Sequence, residues 1–245
     1  MSSYPANYLV VNLSEEIKQI DVAQSTSLIL EGEGSVVVNL SDGAKAEIVD
    51  LSTSGSVEIN MAALSSAKVV SIKLSSGVTN YKVSQNGKEA NIDIYGATIA
   101  SENKNIEMYA NINHNSPYGQ SSQLIKSIGA GESSTKFEGR IFIEYGASSI
   151  SAMQQNKNLL LSSSARISSN PWLEIYNDDV KCSHGSTTGV LDEDEIFYMR
   201  QRGISLNVAR ALQIEGFVVD ISNHISDESL RELIHDKVVS VINEL

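Results

Sequence analysis

The sequence predicts an all-β body followed by a helical tail, and two observations support this prediction. Between residues 25 and 189, short segments rich in Val, Ile, Leu and Tyr alternate apolar with polar positions, and Gly, Ser and Asn separate them. This pattern is typical of strands and turns. After Gly189 the pattern changes to capped segments with helical periodicity. We therefore divide the chain into a lead-in (1–24), a β body (25–189) and a helical tail (190–245).

Several architectures fit the β body, because a sandwich, a barrel and a β-helix all contain many short strands. Signals for tight hairpins are scarce, since Asp42-Gly43 and Asn86-Gly87 are the only Asp-Gly and Asn-Gly pairs. The connections are rich in Ser and Gly, and no long helical pattern interrupts residues 25–180. These observations favour a β-helix. Its coils would be irregular, because no clean repeat motif is present.

The first two segments of the tail carry helix start and stop signals. In "LDEDEIFYMRQRG", Asp192 is a candidate N-cap, Glu195 can close a capping box, and Gly203 stands where a helix ends. In "SLNVARALQIEG", Ser205 is the candidate cap and Gly216 the candidate stop. The acidic run in the first segment suits the positive N-terminus of a helix better than it suits acid–base chemistry.

The last segment of the tail, residues 226–245, has one apolar stripe at helical spacing. Its members are Leu230, Leu233, Ile234, Val238, Val241 and Leu245. Asp227 and Glu228 precede the stripe, where negative charge stabilises a helix N-terminus. In the lead-in, "SEEIKQI" predicts a short helical turn with Ser14 as its cap.

Composition excludes several classes of partner. The net charge of the 245-residue chain is −12, which argues against nucleic acid and against an anionic membrane surface. No apolar run approaches the ~20 residues of a membrane helix, and residues 1–10 lack the features of a signal peptide. A single cysteine excludes an internal disulfide framework. We expect a soluble cytoplasmic protein.

The stretch "EIYNDDVKCSHGSTTGVLDEDE" (174–195) contains that cysteine, Cys182, two residues before His184. If this stretch is extended, the two side chains point to one face of a strand. A thiolate and an imidazole on one face are plausible ligands for iron or zinc. Two ligands make only half of a tetrahedral site, so the others must come from elsewhere in the chain or from a second chain.

Two other interpretations of this pair stay open at the level of the residues. Cys182 can be a small buried apolar residue, with His184 as an ordinary hydrogen-bonding residue. Alternatively, the histidine can activate the thiol as a nucleophile, with Asp178 or Asp179 orienting the imidazole. His114, in the polar stretch "NINHNSPYGQSS", is expected in a loop with local hydrogen bonds.

From His114 to Phe217 the chain resembles the SufB/SufD family of iron–sulfur cluster assembly proteins. The resemblance is densest in "DDVKCSHGSTTGVLDEDEIFYMRQRGI" (178–204). The other matching motifs are "FEG" (137–139), "QQNKNLLLSSSA" (154–165), "PWLEI" (171–175) and "ARALQIEGF" (209–217). Residues 25–113 match the family only in their general pattern of short strands.

This resemblance implies a right-handed parallel β-helix followed by a small C-terminal helical domain. It also implies that two SufB/SufD-type subunits pair through their β-helices, and that the helical domains dock a SufC-type ABC ATPase. The resemblance further implies that a transient iron–sulfur cluster forms near the subunit interface. His184 and Cys182 are then the expected cluster ligands, and each chain supplies half of the site. The implied role is that of a scaffold subunit and not of an enzyme.

The chain also departs from the family pattern. The helical region that usually precedes the β-helix is almost absent, and Gly185 stands where SufB-type chains have a glutamate. The cysteine matching Cys182 is typical of the SufD type, so the chain resembles that type or a minimal homodimeric scaffold. Two alternatives are a structural pairing subunit without cluster ligands of its own and an independent Cys-His enzyme.

Overall fold

A computed structural model describes residues 4–245, in which strands occupy most of positions 8–189 and helices most of positions 193–242. The strands are β1 (Tyr8–Leu13), β2 (Lys18–Val22), β3 (Ser25–Leu40), β4 (Lys45–Asp50), β5 (Ser54–Met61), β6 (Ser66–Lys73), β7 (Gly77–Gln85), β8 (Asn91–Ala100), β9 (Asn105–His114), β10 (Gln120–Gly129), β11 (Ser134–Ile143), β12 (Ile150–Leu160), β13 (Arg166–Ile175) and β14 (Val180–Gly189). The helices are α1 (Glu193–Gln201), α2 (Leu206–Val218), a 3-10 helix η1 (Val219–His224) and α3 (Glu228–Ile242).

The strands form a parallel β-helix, as the sequence predicts. From β3 onward each strand pairs in parallel with a strand two places along the chain, so that β4 to β14 alternate between an even-numbered and an odd-numbered sheet. The long strand β3 belongs to both sheets, because its first part pairs with β4 and its second part with β5. Parallel neighbours cannot be joined by a two-residue hairpin, which explains why hairpin signals are scarce.

The lead-in residues lie in the first coil of this β-helix. β1 pairs with the start of β3, where Tyr8 is opposite Ser27, and β2 pairs with its end. The prediction of a helical turn capped by Ser14 is therefore wrong. Tyr8, Val11 and Leu13 of "YLVVNL" are buried. The edges of β3 supply hydrogen-bond partners for the backbone of the lead-in, and a short isolated helix would lack these partners.

The space enclosed by the two sheets, here called the lumen, changes character along the axis. The early coils fill it with apolar side chains such as Leu28, Ile48 and Ile59. Towards the C-terminal coils the inward positions become polar, and Gln123 and Gln154 are each 1% exposed. Apolar packing therefore holds the first part of the solenoid, whereas hydrogen-bonded amides fill much of the last part.

The helical tail packs against the outer face of the even-numbered sheet. Outward residues such as Ile29, Val49 and Val70 share one buried cluster with Ile214 of α2 and Ile234 of α3. Because this sheet is buried on both faces, its strands contain continuous apolar runs and do not alternate strictly. The tail and the β body consequently share part of their core. No helix within residues 4–245 has the length and apolarity needed to cross a membrane.

Most helix signals in the tail act as predicted. The Asp192 carboxylate accepts hydrogen bonds from the backbone N–H groups of Asp194 (2.9 Å) and Glu195 (3.1 Å), and Gly203 follows α1 with φ +86°. Glu195 does not close the capping box, because the amide of Gln213 bonds to the backbone of Asp192 instead. The predicted stop at Gly216 is wrong.

Helix α2 continues through Gly216 to Val218 and leads directly into η1. Glycine weakens a helix interior by only about 1 kcal/mol. The buried residues Ile214, Val218 and Ile221 lie on either side of it and pack against the even-numbered sheet. Tertiary packing therefore outweighs the local preference of this glycine.

Candidate functional site

The C-terminal end of the β-helix is open. β14 pairs only with β12, and β13 pairs only with β11, among residues 4–245. Most residues of β14 are exposed, because no later coil covers them. The hydroxyl groups of Ser169 on β13 and Ser186 on β14 lie 2.7 Å apart and join the two sheets at this end. The last coil therefore presents two free strand edges and an uncovered row of inward side chains.

Cys182 belongs to this inward row. It is the register partner of Ala152, and it packs at the margin of a small apolar cluster that contains Ile141 and Ile150. The thiol is free and half-buried. Burial raises the pKa of the Cys182 thiol, an effect that a hydrogen bond with the backbone of Ala152 partly opposes. The protonated thiol is therefore favoured until a metal ion or a cationic partner stabilises the thiolate.

His184 lies two residues further along the same strand, opposite Gln154 in β12. Ala152 and Gln154 are both buried in the lumen, and neighbouring strands of a parallel sheet stack their side chains on a common face. Cys182 and His184 consequently share one face of β14, as the sequence predicts. The side chain of His184 is exposed and forms no hydrogen bond with another of the described residues 4–245. Its ring nitrogens are thus available to a ligand.

The described part of the chain does not complete these two side chains into a metal site. Within residues 4–245, no group of three or more His, Cys, Asp or Glu side chains comes close enough to hold a metal ion. The arrangement therefore presents one soft sulfur donor and one imidazole donor at a free strand edge. That donor set suits iron, zinc or an iron–sulfur cluster.

Sequence analysis does not identify the polar residues beneath this row. Gln154, Asn156 and Asn158 occupy successive inward positions of β12 and are at most 3% exposed. The amide nitrogen of Gln154 donates to Gln123 Oε1 across 2.9 Å, and that of Asn156 donates to the backbone of Ile125 across 3.2 Å. The spacing of amides in "QQNKN" is the signal that could have revealed them, because alternate residues share one face of a strand.

The carboxylates near Cys182 have structural partners. Asp179 Oδ2 accepts a hydrogen bond from the hydroxyl group of Ser149, 2.7 Å away, in the turn before β14. The acidic residues 192–195 cap and begin α1. Among residues 4–245 neither Asp178, Asp179 nor this acidic run hydrogen-bonds to the imidazole of His184, so the described residues do not assemble a Cys-His-Asp triad.

The other three histidines have partners away from this site. His114 is the last residue of β9 and fully buried, so its predicted place in a loop is wrong, whereas the predicted local hydrogen bond is present, with Nε2 2.9 Å from Ser121 Oγ. Burial lowers the pKa of His114 to about 4. His224 stacks on the ring of Tyr95 with ring centroids 3.4 Å apart, and His235 Nε2 is 3.6 Å from the carboxylate of Glu215.

The helical tail has an exposed apolar surface on α1 and α2. Phe197 and Tyr198 of α1 are 62% and 56% exposed. Leu206, Val208 and Leu212 of α2 are also large, apolar and exposed. Large exposed apolar side chains on two neighbouring helices are candidates for a protein interaction surface. We call these five residues the helical surface patch.

Comparison with known proteins gives a consistent family assignment. Residues 9–217 match the family described as "SUF system FeS cluster assembly, SufBD core domain". An iron-sulfur cluster assembly SufBD family protein of Synechocystis is 36% identical over 152 residues, which cover 62% of this chain and 34% of that protein. The iron-sulfur cluster assembly protein SufD of Escherichia coli is 33% identical over 153 residues, covering 62% and 36%.

A chloroplastic protein of Arabidopsis thaliana is 30% identical over 167 residues, which cover 68% of this chain and 35% of that protein. The chain thus spans about a third of the length of these relatives. The matched family region includes β14 and extends through α1 to the end of α2. It therefore contains both Cys182 and His184.

Proposed function

Because the chain belongs to the SufBD family of the SUF iron–sulfur cluster assembly system, we propose that it is a scaffold subunit on which a cluster is transiently built. In this role the cluster is cargo, and the chain has no turnover of its own. Cys182 and His184 contribute ligands, and a second SufB/SufD-type chain contributes the others. The observation that supports this proposal most strongly is the thiol and imidazole on one face of an open edge strand.

The second chain is part of the proposal because the edges of β13 and β14 are unpaired. Backbone N–H and C=O groups on an edge strand can be satisfied by a strand from another molecule. Pairing at β14 brings the half-site of one chain next to donors of its partner. The partner is either a different SufB/SufD-type subunit or a second copy of this chain, as in the minimal homodimeric form.

The SufC-type ATPase is assigned to the helical surface patch. This patch lies on α1 and α2, away from the inward row of β14. Binding of a protein partner would remove its apolar side chains from water, which is favourable. Movement of the two ATPase subunits would then act on the helical tails. Since the tail shares a core with the even-numbered sheet, it is connected to β12 and, through the pairing of β12 with β14, to the candidate site.

The role of His184 can be tested by anaerobic reconstitution of the complex with iron and sulfide. His184→Ala is expected to lose most of the visible absorption of the cluster, because a methyl group cannot coordinate iron. Ser186→Ala is the matched control, since it removes a polar group from the next inward position of the same strand. Normal cluster formation by the His184 variant would exclude this residue from the site.

Cys182→Ser is the companion variant, and it separates two forms of the proposal. Loss of the cluster in this variant places the thiolate among the ligands. Retention of the cluster, with loss only in His184→Ala, reduces the half-site to the imidazole. If both variants assemble clusters normally, the alternative role as a pairing subunit without ligands replaces the proposed one.

The pairing surface can be tested by crosslinking. A cysteine introduced at exposed Ser183 in a Cys182→Ser background is expected to form a crosslink to the second chain, because position 183 lies on the free edge strand. A cysteine at Thr79, which is buried in the middle of the β-helix, is the control. A Ser183 variant that reaches no second chain would contradict pairing at β14.

Docking of the ATPase can be tested by point substitutions. Removal of residues 190–245 is unsuitable, because it would uncover the outer face of the even-numbered sheet. Phe197→Asp is expected to abolish co-purification with a SufC-type ATPase, since burying an unpaired carboxylate in an apolar interface is strongly unfavourable. Tyr145→Asp is the control, because Tyr145 is 73% exposed but lies on the β body. Equal binding by both variants would refute the assignment.

The proposal includes a cytoplasmic location. The free, unpaired Cys182 is consistent with a reducing compartment. Fractionation of cells that express the tagged chain tests this part separately from cluster assembly.

A further inference from the structure

The amide groups beneath the open row are only half satisfied. In Gln154, Asn156 and Asn158 the side-chain nitrogen donates a hydrogen bond, whereas the side-chain oxygen has no partner within residues 4–245. All three oxygens are buried. A buried carbonyl without a donor costs about 1–3 kcal/mol, so each of them calls for an explanation.

The amide of Gln154 is the most constrained of the three. Its nitrogen donates to Gln123 Oε1, 2.9 Å away in the preceding coil. Its far end crosses the lumen to the bare Cα of Gly139, where a Cβ atom would lie only 1.9 Å from the amide nitrogen. The hydrogen bond to Gln123 and the space beside Gly139 fix where the amide nitrogen lies. The amide oxygen, which is buried and has no partner within residues 4–245, is the atom left to accept a hydrogen bond.

The following coil places His184 next to Gln154. The two residues are register partners in β12 and β14, and neighbouring strands lie about 4.8 Å apart. The His184 side chain is exposed and forms no hydrogen bond among the described residues, so it can turn towards the lumen without breaking one. An unpaired acceptor in the lumen thus lies beside an unpaired imidazole that can donate to it.

We propose that Gln154 is a positioning residue for His184, with Gln154 Oε1 accepting a hydrogen bond from one ring nitrogen. The other ring nitrogen then faces out of the open end, towards the second chain. Metal-binding histidines usually donate their second N–H group to a carbonyl or carboxylate oxygen, which sets the tautomer and the direction of the ring. The functional reason for this hydrogen bond rests on the proposed function. The hydrogen bond itself does not, because it would form in the free chain.

The ladder formed by Gln123, Gln154 and His184 also gives Gly139 a role. Any larger residue at position 139 would push the Gln154 amide away from the wall and out of line with His184. Asn156 provides the contrast, because its unpaired oxygen is equally buried but its register partner is Ser186. The effect on the imidazole should therefore depend on position 154 and not on buried amides in general.

The experiment is NMR spectroscopy of the full chain with ¹⁵N-labelled histidine, at a pH about two units above the ordinary histidine pKa. In the wild-type chain we expect an observable ring N–H proton for His184, because a hydrogen-bonded N–H exchanges slowly with water. An exposed imidazole without such a bond exchanges too fast to give this signal. Its absence from the wild-type spectrum would overturn the proposal without any variant.

The variants Gln154→Met and Asn156→Leu locate the acceptor. Gln154→Met should remove the His184 N–H signal and change the ratio of the two tautomers roughly three- to tenfold, as one net hydrogen bond allows. Asn156→Leu should change neither. The resonances of His114, which is bonded to Ser121, report whether each variant keeps its fold. An equal response to both variants, or none to Gln154→Met, would also refute the assignment.

The result of the NMR experiment can be distinguished from the result of the cluster-reconstitution experiment. If His184→Ala assembles clusters normally but the wild-type N–H signal is present, the ligand role fails and the hydrogen bond stands. If His184→Ala loses the cluster but the N–H signal is absent, the ligand role stands and the positioning role of Gln154 fails.

Discussion

Asp50 and Lys73 form an ion pair inside the β-helix, with Lys73 Nζ 2.9 Å from Asp50 Oδ2 and side chains that are 0% and 2% exposed. Tyr81 donates to the same carboxylate, and Lys73 Nζ also donates to the backbone oxygen of Ser52 across 2.7 Å. Burial alone would raise the pKa of Asp50, but the charge of Lys73 and hydrogen bonds from Ser52, Tyr81 and Lys73 lower it. The carboxylate therefore stays ionised in the middle of the lumen.

Removal of one partner of this pair should be severely destabilising. We expect Lys73→Met to lower the free energy of unfolding by about 3–5 kcal/mol, because it leaves the Asp50 carboxylate buried without a counter-charge. Urea denaturation followed by circular dichroism measures the change. Lys82→Met is the matched control, since the exposed pair Lys82–Glu58 should contribute less than about 1 kcal/mol.

The double variant Asp50→Asn/Lys73→Met tests the cause of that loss. Removal of both charges should recover a substantial part of the stability lost in Lys73→Met. A double variant that is less stable than Lys73→Met would show that the uncompensated charge of Asp50 is not the cause of the loss.

Acid should destabilise the protein partly through His114. Burial lowers the pKa of His114 from 6.5 to about 4, so the unfolded chain binds a proton at pH values where the folded chain does not. The contribution is fully present above pH 6.5 and is lost as the pH falls towards 4. Between about pH 7 and pH 4.5, wild type should lose about 2 kcal/mol more stability than His114→Gln. Identical pH profiles would contradict this assignment.

Gly139 should be intolerant of even a methyl group. A Cβ atom there would lie 1.9 Å from Gln154 Nε2 and 2.7 Å from Phe137 Cζ, so Gly139→Ala should lower the free energy of unfolding by about 1–3 kcal/mol. Gly185→Ala is the control, because a Cβ atom at that position meets nothing within 4 Å. If Gln154→Ala fails to relieve the cost in a double-mutant cycle, the Gln154 amide is not the source of the strain.

The reactivity of Cys182 should follow its raised pKa. Burial disfavours the thiolate, so alkylation by iodoacetamide at neutral pH should be several times slower than that of an exposed cysteine. The rate should continue to rise above the ordinary thiol pKa of about 8.5. A Cys182→Ser/Ser183→Cys chain supplies the exposed comparison on the neighbouring, outward position. Equal rates and equal pH midpoints would show that the burial of Cys182 does not control its chemistry.

The alternation of apolar and polar residues and the capping of helices depend on residues close together in the chain. The sequence by itself therefore determined the strands of the β body, most of the helix ends and the side chains that share a strand face. The period of two in the β body predicts strands because successive side chains of a strand point to opposite faces. The same rule places Cys182 and His184 on one face of β14. Asp192, Ser205 and Gly203 act as predicted, because a cap needs only the few residues that surround it.

Only the tertiary structure decided which strands became neighbours. Tyr8 is opposite Ser27 in the first coil, whereas Gln120 is opposite Ser151 near the last one, so the length of a coil varies and no sequence repeat marks it. The partners of Asp50 and Gln154, the burial of His114 and the passage of α2 through Gly216 all depend on contacts across coils. Such contacts depend on loop lengths and packing between residues distant in sequence, which local periodicity does not encode.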